Sequence, residues 1–111
     1  MAAPAEEVFA ALADPTRWRV LNLLAERGEG TATSLAGELP VSRVAVVKHL
    51  AVLDHAGLVE SRRAGREVRY TVRTEPLGET ARLMSALASR WDARLVAIKA
   101  LAEDQQQKDL K

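Results

Sequence analysis

The feature that most constrains the fold is a change of hydrophobic period at Gly57. Before it, residues 42–56 place Val46, Leu50 and Leu53 at the three- and four-residue spacing of an amphipathic helix. After it, apolar and charged residues alternate, which is typical of a half-buried strand. A helical pattern does not fit a strand, nor the reverse. The sequence therefore predicts a helix ending at Gly57, followed directly by β structure.

The alternating segment predicts a two-stranded hairpin. Val68, Tyr70 and Val72 fall on one face of its second strand, and charged residues and a threonine fall on the other. The segment "RAGRE" forms the turn, and Gly65 supplies the positive φ that the turn requires. Because an isolated hairpin is marginal in water, it must pack on the helices.

Three helices precede the one that ends at Gly57, and a longer helix follows the hairpin. The first is predicted at residues 6–13 and the last at residues 76–103. Capping residues predict where the next three helices begin. The second helix is capped by Asp14, with Pro15 at its first position, the third by Thr31 and the fourth by Ser42. Apolar stripes predict that Val20, Leu24 and Leu35 pack against the fourth helix. We expect an α+β fold, mostly helical, with a single domain over residues 1–104 and a polar, disordered tail over residues 105–111.

The last helix has a continuous apolar stripe, made of Leu77, Met84, Leu87, Ala88, Trp91, Leu95, Ile98 and Leu101. The predicted hairpin is too short to cover it. A large exposed apolar face usually marks an interface, and a two-fold symmetric pair of chains would bury the stripe. The sequence therefore predicts a homodimer. Trp18 and Trp91 are expected in the core or the dimer interface, with a small apolar ligand pocket as the alternative.

Positive charge is concentrated in one third of the chain. Residues 42–73 contain seven basic and three acidic residues, a surplus of +4, while the remainder carries −3. Such clustering is typical of nucleic-acid binders, although a solvated charged hairpin would look the same.

The outward side of the fourth helix combines low bulk with positive charge. Small apolar side chains alternate with Arg43 and Lys48 near its start. Valine and alanine methyls can contact thymine methyls in the major groove, and cations reach guanine edges or phosphates. The third helix, the turn "LPVS" and this helix predict a helix-turn-helix, and the following hairpin has the length of a wing.

The segments "ADPTRWRVLNLLAE", "TSLAGELPVSRVAVVKHLAVLDHAGLVESRRAGREVRYTV" and "SRWDARLVAIKALAE" resemble the ArsR-type family of winged-helix bacterial repressors, over residues 9–103. The resemblance implies a homodimer that binds double-stranded operator DNA of inverted-repeat character. It implies pairing through the first and last helices, by Val8, Phe9, Leu12, Met84, Leu87, Trp91, Leu95 and Ile98. It places on the recognition helix Ser42, Arg43, Val44, Ala45, Val47, Lys48 and His49, and on the wing Arg62, Arg63, Arg66 and Arg69. Val44 and Val47 stand where relatives are often polar.

The chain departs from the metal-sensing members of that family. Those members use a cysteine pair, or Asp, His and Glu on the last helix, whereas this chain has no cysteine and no histidine there. From Trp91 onward the carboxylates of that helix are Asp92 and Glu103, and Asp104 follows directly after its predicted end. The pattern at Trp91, Arg94 and Leu95 resembles a subgroup without a metal site. No metal or cofactor is expected, and an unidentified small-molecule effector remains open.

Catalysis is not expected. His49 and His55 point about 240° apart on a helix and cannot share a metal, and no serine or cysteine nucleophile accompanies Asp54 and His55. The absence of cysteine, the acidic start and the lack of a long apolar run favour a cytoplasmic protein. The alternative function is a winged helix used for protein–protein interaction, and the clustered arginines count against it.

Overall fold

The structure, a computed structural model, describes residues 4–109, and side chains through residue 105. Its elements are α1 (Ala5–Leu12), α2 (Pro15–Arg27), α3 (Ala32–Ala36), α4 (Arg43–His55), β1 (Val59–Ala64), β2 (Glu67–Val72) and α5 (Glu75–Asp109). The chain divides into two compact units, Met1–Thr80 and Ala81–Lys111, which are described separately. The predicted mostly helical winged helix-turn-helix is confirmed, while the single domain over residues 1–104 stays a prediction.

The helix starts follow the predicted caps. The Asp14 carboxylate accepts the backbone N–H groups of Thr16 at 2.8 Å and Arg17 at 3.1 Å. Thr31 and Ser34 cap α3 reciprocally, and Ser42 Oγ accepts the N–H of Ala45 at 3.1 Å. Each cap satisfies N–H groups that the first turn of a helix leaves without an internal partner. These local hydrogen bonds fix where α2, α3 and α4 begin.

The core of the first unit lies where the stripes of α2, α3 and α4 meet. It contains the predicted residues Val20, Leu24, Leu35, Val46, Leu50 and Leu53, and α1, the α4–β1 link and β1 add Val8, Ala11, Leu58 and Val59. Val8 was predicted to lie in the dimer interface, but it is only 1% exposed. It therefore belongs to the core of its own chain, because the stripe of α1 turns inward at that position. Phe9, at 41% exposure, and the partly buried Leu12 remain accessible.

The hairpin is held by its own ladder and by one further bridge. β1 and β2 pair antiparallel from Val59 opposite Val72 to Ala64 opposite Glu67. The two-residue turn has φ of 65° at Gly65 and no positive φ at Arg66, which is the pattern of a type II′ turn. Gly30 forms an isolated antiparallel bridge to Tyr70, which attaches the hairpin to the segment before α3.

The last helix is longer than predicted. It begins at Glu75 and continues to Asp109, so residues 105–109 of the expected polar tail are helical, and residues 110–111 lie outside the description. No glycine or proline follows Gly78, and Gln and Lys are good helix formers. Polar composition was therefore not a stop signal. No helix within residues 4–109 is both long and apolar enough to span a membrane.

Candidate nucleic-acid interface

The outward face of α4 is exposed as the sequence predicts. Val44 is 63% and Val47 is 42% exposed, and Ser42, Arg43 and Lys48 are exposed beside them. Ala45 is partly buried. The opposite face carries Val46, Leu50 and Leu53, each 0% exposed. This burial holds α4 against α2 and α3. The outward face, with small apolar side chains and flanking cations, is therefore exposed to solvent on a rigid support.

Arg43 joins the start of α4 to α3. Its Nε donates to Thr33 Oγ1 at 3.1 Å. The bond links two exposed side chains across the turn of the helix-turn-helix. It places the guanidinium beside the first turn of α4, where a helix N-terminus attracts phosphate.

His49 faces away from this surface. It is half-buried, and its Nδ1 lies 3.5 Å from the Nη1 of Arg17. Arg17 donates to the carbonyl of Ala11 at 2.7 Å and to that of Ala10 at 3.2 Å, so it caps the end of α1. The structure thus places His49 at the junction of α1, α2 and α4.

The role of Arg17 is not among the sequence predictions. One signal was available, since a cation in the first turn of a helix opposes the helix dipole. Its position in the first turn of α2 indicates a partner elsewhere, and that partner is the carbonyl end of α1. The carboxylate of Asp14 lies 4.0 Å from the Nη1 of Arg17.

The four wing arginines fall into two pairs. Arg69 Nη1 donates to Glu29 Oε1 at 2.5 Å, and its Nη2 lies 3.4 Å from Glu67 Oε2. Arg62 Nη2 lies 3.6 Å from Glu29 Oε2. The hydrogen bond to Glu29 is the main cause that raises the pKa of Arg69 above its ordinary range.

Arg63 and Arg66 form the second pair. Both are exposed, and neither has an ion pair with any carboxylate in the described part of the chain. They therefore carry full charges into solvent at the end of the hairpin. The sequence pattern does not distinguish the two pairs, because Glu29 lies outside the hairpin.

A groove lies between the helix-turn-helix and the hairpin. It encloses about 590 Å³, and its lining includes Thr33, Arg43 and Val47 from the helices and Arg66, Val68 and Tyr70 from the hairpin. The predicted recognition helix and the predicted wing thus meet in one positively charged surface. Among residues 4–105, no group of three or more His, Asp or Glu side chains is arranged to hold a metal ion.

Comparison with known proteins gives one family. The family model described as "Bacterial regulatory protein, arsR family" matches residues 14–61. An HTH-type transcriptional regulator of Bacillus subtilis, YuzN, is 40% identical over 78 residues, which cover 65% of this chain and 85% of that protein. The transcriptional repressor SdpR of the same organism is 31% identical over 85 residues, which cover 77% of this chain and 93% of SdpR.

A solved structure leads to the same family. The ArsR-like transcriptional regulator from Rhodococcus sp. RHA1 is 49% identical, has a TM-score of 0.78, and covers 88% of this chain and 92% of its own. These proteins are regulators and not enzymes. With its capped helix-turn-helix and arginine-tipped hairpin, the chain belongs to the ArsR family of winged-helix transcriptional regulators.

Proposed function

We propose that this protein is a homodimeric, sequence-specific repressor that binds an inverted-repeat operator. ArsR-family regulators bind DNA and typically act as dimers. The observation that carries the proposal is the groove in which Arg43 and Val47 of α4 face Arg66 of the hairpin. A recognition helix and a wing with cations on both can engage one stretch of duplex together.

In this proposal α4 reads the base edges. Val44 and Val47 supply exposed methyl groups for thymine, and Arg43 and Lys48 supply donors for guanine or phosphate. Ser42 Oγ already accepts the N–H of Ala45, so the preceding first-turn N–H groups are left for a phosphate oxygen. Apolar contacts thus carry an unusual share of the recognition.

The wing holds the backbone. Arg63 and Arg66 are free to neutralise phosphates or to enter a minor groove. Contacts of this kind position the protein but do not select the sequence. Affinity should therefore depend strongly on salt, and specificity should depend on α4.

The dimer is supported by the exposed stripe of α5. Met84, Leu87, Trp91, Leu95 and Ile98 are each 48–56% exposed within residues 81–105. They recur every three or four residues, the spacing at which two helices bury each other's apolar seams. A symmetric pair would place two recognition helices at half-sites about 34 Å apart.

Repression is carried over from the relatives. SdpR is named a transcriptional repressor, and occupation of a promoter by a dimer blocks transcription without further chemistry. The effector that releases the DNA is left unassigned. Such a regulator acts where the bacterial chromosome lies, in the cytoplasm.

The test is selection of bound duplexes from a random DNA library, followed by sequencing. We expect an enriched motif with two-fold symmetry and half-sites about one turn apart. Binding without enrichment would replace sequence-specific recognition with a general affinity for DNA. No binding at 50 mM salt would refute the proposal and leave the protein-interaction module as the better function.

A further inference from the structure

Glu29 lies beside two arginines of the hairpin. Arg62 and Arg69 are direct cross-strand partners in the hairpin, and like charges in that position repel each other. The two carboxylate oxygens of Glu29 face both of them, Oε1 toward Arg69 and Oε2 toward Arg62. One acidic residue from the loop between α2 and α3 therefore contacts both cations.

This ion cluster lies on one face of the hairpin. Successive residues of a strand point to opposite sides. Arg62 and Arg69 share one side, and Val68 and Tyr70, which line the groove beside α4, share the other. Arg63 is the cross-strand partner of Val68 and so belongs to the groove side.

A DNA phosphate would compete with this cluster for the same two guanidinium groups. Glu29 and Arg69 have side chains that are 39% and 41% exposed, so water and salt screen them only in part. Glu67 adds a second carboxylate beside Arg69. A DNA phosphate would have to displace both.

The structure assigns to Glu29 the role of a specificity-determining residue, which withholds Arg62 and Arg69 from DNA and leaves Arg63 and Arg66 as the phosphate contacts of the hairpin. This inference rests on the DNA-binding function proposed above. Each neutralised phosphate strengthens binding to any sequence. By removing two such contacts, Glu29 lowers nonspecific affinity and raises the share of binding that the bases contribute through α4.

The test is the dependence of DNA affinity on salt. The probe is a fluorescein-labelled 30-base-pair duplex of random sequence, titrated with full-length protein at several salt concentrations. Each phosphate contact adds about 0.9 to the slope of log K against log salt concentration. We expect Glu29→Gln to bind more tightly at low salt and to steepen the slope by about 0.9 to 1.8, while Arg69→Gln in the wild-type background leaves the slope unchanged.

Glu60→Gln is the matched control. Glu60 is an exposed carboxylate of β1, and it pairs with no cation in the described part of the chain. Glu60→Gln changes the net charge of the protein by the same amount as Glu29→Gln, but it releases no arginine. An equal steepening in both variants would overturn the inference and leave net charge as the cause.

The outcomes separate this inference from the function on which it rests. If wild type binds the duplex and Glu29→Gln has the same slope, DNA binding stands and the role of Glu29 is refuted. If neither wild type nor Glu29→Gln binds the random duplex at any salt concentration, the role of Glu29 is refuted; if wild type also fails to bind any duplex in the library selection, the DNA-binding function is refuted with it. Circular dichroism of Glu29→Gln must match wild type, and Glu29→Asp, which keeps the charge, must keep the wild-type slope.

Discussion

Gly30 and Tyr70 hydrogen-bond to each other in both directions, across 40 residues of chain. The N–H of Gly30 donates to the carbonyl of Tyr70 at 3.1 Å, and the N–H of Tyr70 donates to the carbonyl of Gly30 at 2.8 Å. The ends of the hairpin are tied down as well, since the N–H of Arg73 donates to the carbonyl of Leu58 at 2.8 Å. The wing is thus anchored to the body by backbone hydrogen bonds, which use none of its side-chain donors.

The bridge predicts that Gly30→Ala destabilises the protein. A Cβ at Gly30 would lie 3.0 Å from Leu24 Cδ2, and Leu24 is fully buried in the core. Relief requires the core or the bridge to shift, so we expect the free energy of unfolding to fall by about 1–2 kcal/mol in urea denaturation. Gly37→Ala is the control, because its Cβ would meet no atom closer than 3.5 Å. An equal free energy of unfolding for the two variants would mean that the Leu24 side chain moves aside without loss of stability.

The wing predicts a change in salt dependence without a change in sequence preference. Arg66→Gln removes a free cation at the tip, so we expect weaker binding to all sequences and a slope lower by about 0.9. Arg73→Gln removes the same charge from a residue that lies 3.9 Å from Glu75 at the base of the hairpin. It should bind as wild type does. Fluorescence anisotropy at four salt concentrations distinguishes them, and a normal slope for Arg66→Gln would remove the tip from the interface.

The recognition helix predicts an effect on specificity from an apolar truncation. Val47→Ala shortens a side chain in the groove, and we expect it to cost about 1 kcal/mol at one base position and to relax the preference there. Val52→Ala is a matched control, because Val52 is also 42% exposed but lies further along α4 and outside the groove. Competition binding with single-base variants of the selected operator measures both. The same relaxation in Val52→Ala would place the reading face elsewhere on α4.

The stripe of α5 predicts the oligomeric state. Leu95→Glu puts a charge in the seam, so we expect a monomer at micromolar concentration by sedimentation analysis, and loss of cooperative operator binding. Val96→Glu makes a similar change one residue away, about 100° further round the helix, where the side chain is 69% exposed. This variant should remain a dimer. A dimeric Leu95→Glu protein would show that the stripe is not the interface.

The cap of α2 predicts a contribution to stability at acid pH. The backbone N–H of Arg17, above all, lowers the pKa of Asp14 below its ordinary value. A lowered folded-state pKa means that the carboxylate stabilises the fold above the unfolded-state pKa and loses this effect as pH falls through the folded-state value. Asp14→Asn keeps a capping oxygen but does not titrate, so we expect its stability to fall less between about pH 5 and pH 2. Thermal unfolding across that range, with Asp54→Asn as control, tests this.

Local chemistry determined most of the fold. The caps at Asp14, Thr31 and Ser42, the turn at Gly65 and the change of period at Gly57 each depend on residues within a few positions of one another. Such signals can be recognised in one sequence, because helix caps and tight turns are short-range hydrogen-bond problems. The stripes then predicted which faces of α2, α3 and α4 meet, and the core confirms it.

Only the tertiary structure decided which of the candidate residues are free. Val8 is buried, His49 faces Arg17, and Arg62 and Arg69 are paired while Arg63 and Arg66 are not. Arg17 is 32 residues from His49 in the sequence, and Glu29 is 40 residues from Arg69. A local sequence pattern cannot predict pairs so far apart in the chain, because they come together only when the helices pack and the Gly30–Tyr70 bridge forms. The sequence by itself determined that a basic helix and a basic hairpin form, and the packing determined which of their charges remain for DNA.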